Sequence, residues 1–438
     1  MPPDALPDIV SALPRIDTLA RTGRIVRAAG TVIRVSGLGA RIGELCDAVD
    51  PVTGHKLAAE VVGLDADTAI LTPLEPLHGL GEDFDVIRRR GQNGIPYGEA
   101  LLGRVIDAQG IPLDGKGVLP ANLPRRPVYA KTPDALKRMP VDQPFETRVR
   151  AIDGLVPVGR GQRLGVFAMA GVGKSSLLGM LARGMEADVT VVALIGERGR
   201  EVREFVEDTL GEEGLKRTVV IVATSDRPAM ERVRAAHAAT AIAEGFRAEG
   251  MNVCLMMDSV TRFARALREI GLSVGEPPVR RGFPPSVFAE LPRLFERAGN
   301  NDKGWMTAFY TVLVEDEEGD DPVGEEVRSI LDGHITLSRK LAQSGHYPAI
   351  DILDSISRVA PRLMDRSQSD AAQDVRALLA KYAEVEFLVQ VGEYSEGSDA
   401  LADRAIARRD AIGAFLKQRM DDQVGADDMR RALLELGQ

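Results

Sequence analysis

The residues best placed to do chemistry are Gly173, Lys174 and Ser175, inside the stretch VFAMAGVGKSSLL at 166–178. A short apolar run, a turn of small residues and the opening of a helix make a phosphate-binding loop. The backbone N–H groups of Ala170, Gly171, Val172 and Gly173 point into one concavity. The helix that follows, with Ser176 in its first turn, adds the positive end of its dipole, so a polyphosphate can sit there. Gly171 and Gly173 permit the tight backbone. Lys174 brings a mobile charge to the β- and γ-phosphates, and the Ser175 hydroxyl is a ligand for Mg²⁺. The first glycine of the pattern G-x-x-x-x-G-K-S/T is Ala168, so the strict pattern is missed by one methyl group.

Two acids extend the constellation. Asp258 ends the apolar run NVCLMMD, where a carboxylate can hold Mg²⁺ through its water shell as a Walker B element. An acid after an apolar strand is also a common helix N-cap, a role that Ser259 or Thr261 can share. Glu197 follows the strand VTVVALI and is expected at the end of the strand next to the phosphate loop. From there it can accept a hydrogen bond from a water in line with the γ-phosphate, as general base or as positioner. The neighbouring Arg200, Glu201, Arg203 and Glu204 read as a solvated, charge-laced helix start.

These residues need a scaffold that brings strand ends together. From Gly154 onward apolar strands alternate with helical patterns, which specifies a parallel sheet covered on both faces. Ligands bind such sheets at the carboxyl ends of the strands, where the loop lies. Between Arg24 and Arg89 the runs IVRAAGTVIRVSG, KLAAEVVGL and TAILTPL, separated by Gly, Pro and Asp, specify a small antiparallel barrel. The segment 92–150 is rich in Pro and Gly, and its GRVIDAQGIPLDGKG reads as strand, turn and loop leading into the central domain. After about Ala360 only helical patterns remain. The expected division is an arm at 1–22, a barrel at 23–91, an α/β domain with its lead-in at 92–365 and a helical domain at 366–438. Pro14 breaks the arm's partial helical spacing into short pieces.

A chain of 438 residues exceeds one compact core. Its net charge of −10 excludes a general nucleic-acid surface, because phosphate backbones need a basic field, and any phosphate site is local. Phe84 is the one aromatic between Arg24 and Gly91, too few for a base-stacking barrel, so the barrel is assigned to assembly. No apolar run approaches eighteen residues, and MPPDALPDIVSALPRID lacks the regions of a signal peptide. Cys46 and Cys254 lie far apart, Cys254 in an apolar run that reads as buried, which fits a reducing cytoplasm.

The central block resembles the hexameric ATPases related to the catalytic subunit of rotary ATP synthases, most closely the type III protein-export ATPases of flagella and injectisomes. The resemblance rests on long stretches in family order, among them AIDGLVPVGRGQRLGVFAMAGVGKSS, IGERGREVREFVEDTLGEEG, MDSVTRFARALREIGL, GEPPVRRGFPPSVFAELPRLFERAG, ILDGHITLSRKLA and GHYPAIDILDSISRV. It implies an α/β, RecA-like P-loop NTPase core with an N-terminal antiparallel β-barrel and a C-terminal helical domain, hydrolysing ATP with Mg²⁺. A small residue at Ala168 is common in that family. Carried over, Lys174 and Ser175 serve the phosphates and Mg²⁺, Asp258 the metal's outer shell, and Glu197 the attacking water. Arg198 follows Glu197 in the family's GER motif and joins the catalytic set. Tyr347, in GHYPAID, matches the residue that packs on adenine, and Arg358, in DSISRV, the arginine supplied across a subunit boundary.

A shared arginine implies a homo-hexameric ring, with the barrels as a crown and the helical domains facing an export gate. The resemblance places such a ring in the cytoplasm, peripheral at the inner membrane. It also implies a coiled-coil stalk protein in the pore, a stator-like dimeric regulator on the N-terminal arm, and export proteins with their chaperones as substrates. The acidic segment from Glu315 to Asp321 resembles one near the family's pore and otherwise reads as a solvated loop. AMAGVGKSS departs from the flagellar AGSGVGKS, and LLAKYAEVEFLVQVGEYSEGSDALADRAI is more like injectisome members, so the injectisome is favoured. Three rivals stand beside this reading. GEPPVRRGFPPSVFAELPRL argues against an ATP synthase catalytic subunit, the barrel's composition against an RNA translocase, and Glu197 against a non-catalytic assembly subunit.

Overall fold

The computed structural model describes residues 21–89, 94–314 and 321–437. Most of the arm and of the acidic segment lies outside the described residues.

Six strands close the barrel: β1 (Thr22–Ala29), β2 (Val32–Ser36), β3 (Leu45–Val49), β4 (Lys56–Asp65), β5 (Thr68–Pro73) and β6 (Asp85–Arg88), in the order β1-β2-β5-β4-β3-β6. Every pairing in it is antiparallel. Alternating residues such as Ile33, Val35, Leu57 and Val86 fill the interior. Phe84 is buried among them.

The central sheet has eight strands: β7 (Val105–Ile106), β8 (Arg163–Ala168), β9 (Val189–Ile195), β10 (Thr218–Ala223), β11 (Val253–Asp258), β12 (Met306–Leu313), β13 (Gly333–Leu337) and β14 (Ile350–Ser357). Their lateral order is β14-β13-β8-β12-β11-β9-β10-β7. All neighbours run parallel except β14, which is antiparallel to β13. All seven residues of β9 are buried, as a strand covered on both faces requires. The lead-in contributes β7 and so becomes part of the sheet.

This order corrects one expectation. The strand that carries Glu197 at its end, β9, is not next to β8; β11 and β12 lie between them. Succession along the chain does not fix lateral order, because a crossover helix can carry the next strand past several positions.

The helices that matter are α1 (Lys174–Gly184), α2 (Ala229–Ala248), α3 (Val260–Ser273), α4 (Pro285–Phe295) and α5 (Pro322–Ile330). The alanine-rich α2 is covered almost all round, between the sheet on one side and the barrel and lead-in on the other. Three further helices, Arg366–Gln390, Ala400–Leu416 and Ala426–Leu436, form the C-terminal helical region. Among the described residues no helix is long and apolar enough to cross a membrane.

Candidate active site

The loop begins where β8 ends. Ala168 is buried, pairs in register with Leu313, and its carbonyl accepts from Val314 N at 3.0 Å. Its backbone is ordinary strand, so a methyl group there costs nothing. The left-handed conformations fall later, at Gly171 (φ 78°) and Gly173 (φ 93°), where glycine is needed. Gly173 caps α1, and Ala170, Gly171 and Ser175 lie open to solvent above it while Val172 turns into the core.

Four charged side chains converge over this loop. The Lys174 ammonium donates to Asp258 Oδ1 and lies 3.5 Å from Glu197 Oε1. Thr311 Oγ1 donates to the same Asp258 oxygen at 2.7 Å, which fixes the carboxylate at the end of β11. Ser259 is the N-cap of α3, accepting from Arg262 N at 3.4 Å, so capping does not consume Asp258. Thr261 is occupied with Leu313 instead. Arg262, in the first turn of α3, donates from Nη2 to Glu197 Oε2 at 3.4 Å and brings Nε to 3.2 Å from Oε1 without hydrogen-bond alignment.

Glu197 carries the strain of this arrangement. Its side chain is 9% exposed and its Oε1 has no hydrogen-bond partner. Burial pushes its pKa up to about 7; Asp258 adds to the rise, while Lys174 and Arg262 oppose it. A hydrogen bond to Glu201 also favours the protonated form, and the same bond holds Glu201 below the usual carboxylate range. Glu201 is otherwise partly exposed and faces Arg198, in keeping with a solvated helix start. Arg262 and Thr311 are members of the cluster that the sequence reading missed. One signal was available for Arg262, its place three residues after the cap that follows Asp258; Thr311 is merely a polar residue in an apolar strand.

The remaining candidates lie apart from this cluster. Arg198 points to solvent, with 77% of its side chain exposed, and pairs loosely with Glu201 at 3.6 Å. Arg358 sits at the opposite end of the strands from the loop, because β14 runs antiparallel to β13. Its backbone N–H donates to Asp332 O at 3.0 Å, level with the start of β8. Five residue steps, about 16 Å of strand, separate that level from the loop. Arg358 therefore cannot reach the phosphate loop of its own chain.

Tyr347, joined to Pro348 by a cis peptide bond, lies against the loop. A Cβ on Gly173 would stand 3.2 Å from its ring, a second reason for glycine there. Ring and loop border a cavity of about 290 Å³ with Leu177, Met180, Arg419 and Met420. Its size falls at the low end for small-molecule sites. Gln418 braces it, donating from its backbone to Tyr347 O at 2.9 Å and from its side chain to Arg148 O at 2.7 Å. Residues 418–420 join two C-terminal helices and carry no motif.

Residues 148–357 match the ATP synthase alpha/beta family, nucleotide-binding domain; residues 25–91 match its beta-barrel domain, and residues 364–435 the T3SS EscN ATPase C-terminal domain. The Type 3 secretion system ATPase of Xanthomonas euvesicatoria is 55% identical over 401 residues, 92% of this chain and 90% of that protein. This chain belongs to the type III secretion ATPase family. The Flagellum-specific ATP synthase of Treponema pallidum is 49% identical over 95% of this chain and 93% of its own length, so both branches of the family are near. Among solved structures, the assembled ATPase EscN of enteropathogenic E. coli matches with a TM-score of 0.89 and 48% identity, covering 95% of this chain and 100% of that one. EscN in complex with its central stalk EscO matches at 0.87 and 47%, with the same coverage.

The donor set of this family member fits magnesium. Ser175 and Asp258 offer hard oxygen atoms, and among the described residues no group of three or more His, Cys, Asp or Glu could hold a metal unaided. Hard oxygen donors of this kind suit magnesium.

Proposed function

We propose that this chain hydrolyses Mg-ATP in a homo-hexameric ring that energises type III protein export. The observation that carries the reading is the convergence of Lys174, Asp258 and Glu197 over the phosphate loop, with Glu197 buried, raised to about 7 and bearing an unpartnered oxygen. Backbone N–H groups at 170–173 hold the β- and γ-phosphates, and Lys174 swings from the two carboxylates onto them. Ser175 and Asp258 would hold Mg²⁺, which when bound neutralises charge on the β- and γ-oxygens. Glu197 Oε1 accepts a hydrogen bond from water and aims it at the γ-phosphorus. The water oxygen bonds to that phosphorus, the bond to the bridging oxygen breaks, ADP leaves, and the water's proton passes to Glu197 and then to solvent. Tyr347 stacks on adenine in the cavity beside the loop.

Arg358 serves the neighbouring subunit, which its distance from its own loop supports. Arg198 stays in the catalytic set through the family motif alone. The stalk in the pore is supported by the EscN–EscO complex. The regulator on the N-terminal arm, export chaperones and their cargo, whose release and unfolding the ring would drive, and a peripheral seat at the inner-membrane gate complete the reading. The higher identity to the Xanthomonas secretion ATPase and the match of 364–435 to the EscN C-terminal domain support the injectisome.

The test is phosphate release from Mg-ATP across a wide range of protein concentrations, with Glu197→Gln alongside. Specific activity should climb with concentration, and the variant should lose on the order of 10²- to 10⁴-fold in turnover while still binding ATP. Concentration-independent activity would refute the shared site, and full turnover by the variant would refute the role of Glu197.

A further inference from the structure

Arg358 is held at two points. Its backbone hangs from Asp332 O at 3.0 Å, and Asp332 is itself fixed by a bidentate pair with Arg163 at the start of β8, at 3.0 and 3.1 Å. The guanidinium has a different anchor: its Nη2 donates to the carbonyl of Arg328, at the end of α5, at 3.1 Å. What fixes Arg328 therefore fixes where the Arg358 guanidinium points.

The helix end is seated by the buried Val327 and Leu331, and the exposed Arg328 side chain adds one further contact, with an aromatic ring. Its Cζ lies 4.4 Å from the ring centroid of Phe167, and it makes no ion pair among the described residues. Phe167 occupies the last position of β8 before Ala168, where the phosphate loop begins. The ring is held rigidly. It lies so close to Gly165 that a Cβ there would stand 2.5 Å from it, and His334 meets it edge-on at 5.6 Å. An exposed arginine stacked over a buried ring is an electrostatic clasp, strong enough to orient a helix end and weak enough to shift.

We infer that Arg328 is a positioning residue that clasps the strand under its own phosphate loop and thereby sets the Arg358 guanidinium for the neighbouring site. The inference rests on the reading of Arg358 as the arginine supplied in trans. The path is short and physical: loop residue Ala168, the ring of Phe167, the guanidinium and carbonyl of Arg328, then Arg358. A shift of β8 as nucleotide enters one site moves the anchor of the arginine serving the next.

The test is a double-mutant cycle on the full-length protein at concentrations where specific activity has levelled off. Arg328→Ala and Arg328→Gln keep the carbonyl and remove the cation; Arg328→Lys keeps a cation over the ring. The first two should lower kcat about five-fold, the order expected for one exposed cation–π contact, with KM for ATP unchanged, and the lysine variant should recover part of the loss. Melting temperature and ATP binding by fluorescence titration should stay at wild-type values. In an Arg358→Ala background the Arg328 substitutions should cost nothing more, since the residue they position is gone. An equal further loss there, or unchanged kcat in the single variants, overturns the clasp while leaving Arg358 in trans intact. Full activity of Arg358→Ala alone overturns the trans arginine, and the clasp with it.

Discussion

Arg297 and Glu244 are buried as deeply as Glu197 and Asp258, with side-chain exposures of 2% and 3% against 9% and 5%. Beyond burial the two clusters differ. Arg297 meets Glu244 through two parallel bonds of 2.9 Å and gives a third to Val128 O at 2.8 Å, locking α2 to the end of α4 and to the lead-in. Glu244 also receives Arg126 at 3.2 Å, so the cluster is closed. The site leaves Glu197 Oε1 without a hydrogen bond, crowds one lysine between two carboxylates and raises one of them to about 7. In the Arg297–Glu244 pair the bonding of the buried charges is used, while Glu197 keeps an oxygen in reserve.

The largest effect should come from breaking the closed cluster. Arg297→Met breaks the buried bidentate pair, leaves Glu244 with Arg126 alone, and should cost about 3–5 kcal/mol, seen as a large fall in melting temperature, whereas Arg297→Met with Glu244→Leu should recover most of it. Comparable instability from Glu197→Gln would erase the distinction between the two regions. Tyr347→Ala sharpens it from the other side. Losing a stacked base is worth about 1–3 kcal/mol, so ATP affinity measured by fluorescence titration should fall about five-fold or more, with melting temperature nearly unchanged and Tyr347→Phe close to wild type.

The smallest effect is one of pH. Because burial raises Glu197, its ionised form grows as pH rises through about 7, so kcat/KM should increase across that range and level off above it. Its folded-state value lies above the unfolded one, so the stability it contributes is present at low pH and is lost as pH rises through about 7. Thermal melts should therefore show Glu197→Gln gaining on the wild type at pH 8 relative to pH 5.5. An equal difference at both pH values would show that the glutamate is not strained by burial.

Local features were legible. The loop, Asp258 and Glu197 stand beside turn residues and apolar runs whose patterns extend over ten or so residues, and the alternation of strand and helix gave the parallel sheet. The barrel followed from its short β-rich runs, although β3 and β6, which close it, have weaker patterns. The charged run after Glu197 was legible as well: Arg200 with Glu204 and Arg203 with Glu207 form exposed i,i+4 pairs, and Glu201 faces Arg198. Thr311 was not, because a lone polar residue in an apolar strand carries no local sign of what it faces.

The sequence by itself determined where a glycine-rich strand-to-helix turn falls and the classes of element around it, because backbone conformation at Gly171 and Gly173 and burial along β9 are dictated within a few residues. Only the tertiary structure decided which strand ends meet, and so put Glu197 over Lys174 across two intervening strands. It also brought 418–420 to the side of Tyr347, and turned Arg358 away from its own loop through the one antiparallel strand of the sheet. Lateral strand order and domain packing are settled by burying whole faces against one another, a sum over distant residues that no local pattern records.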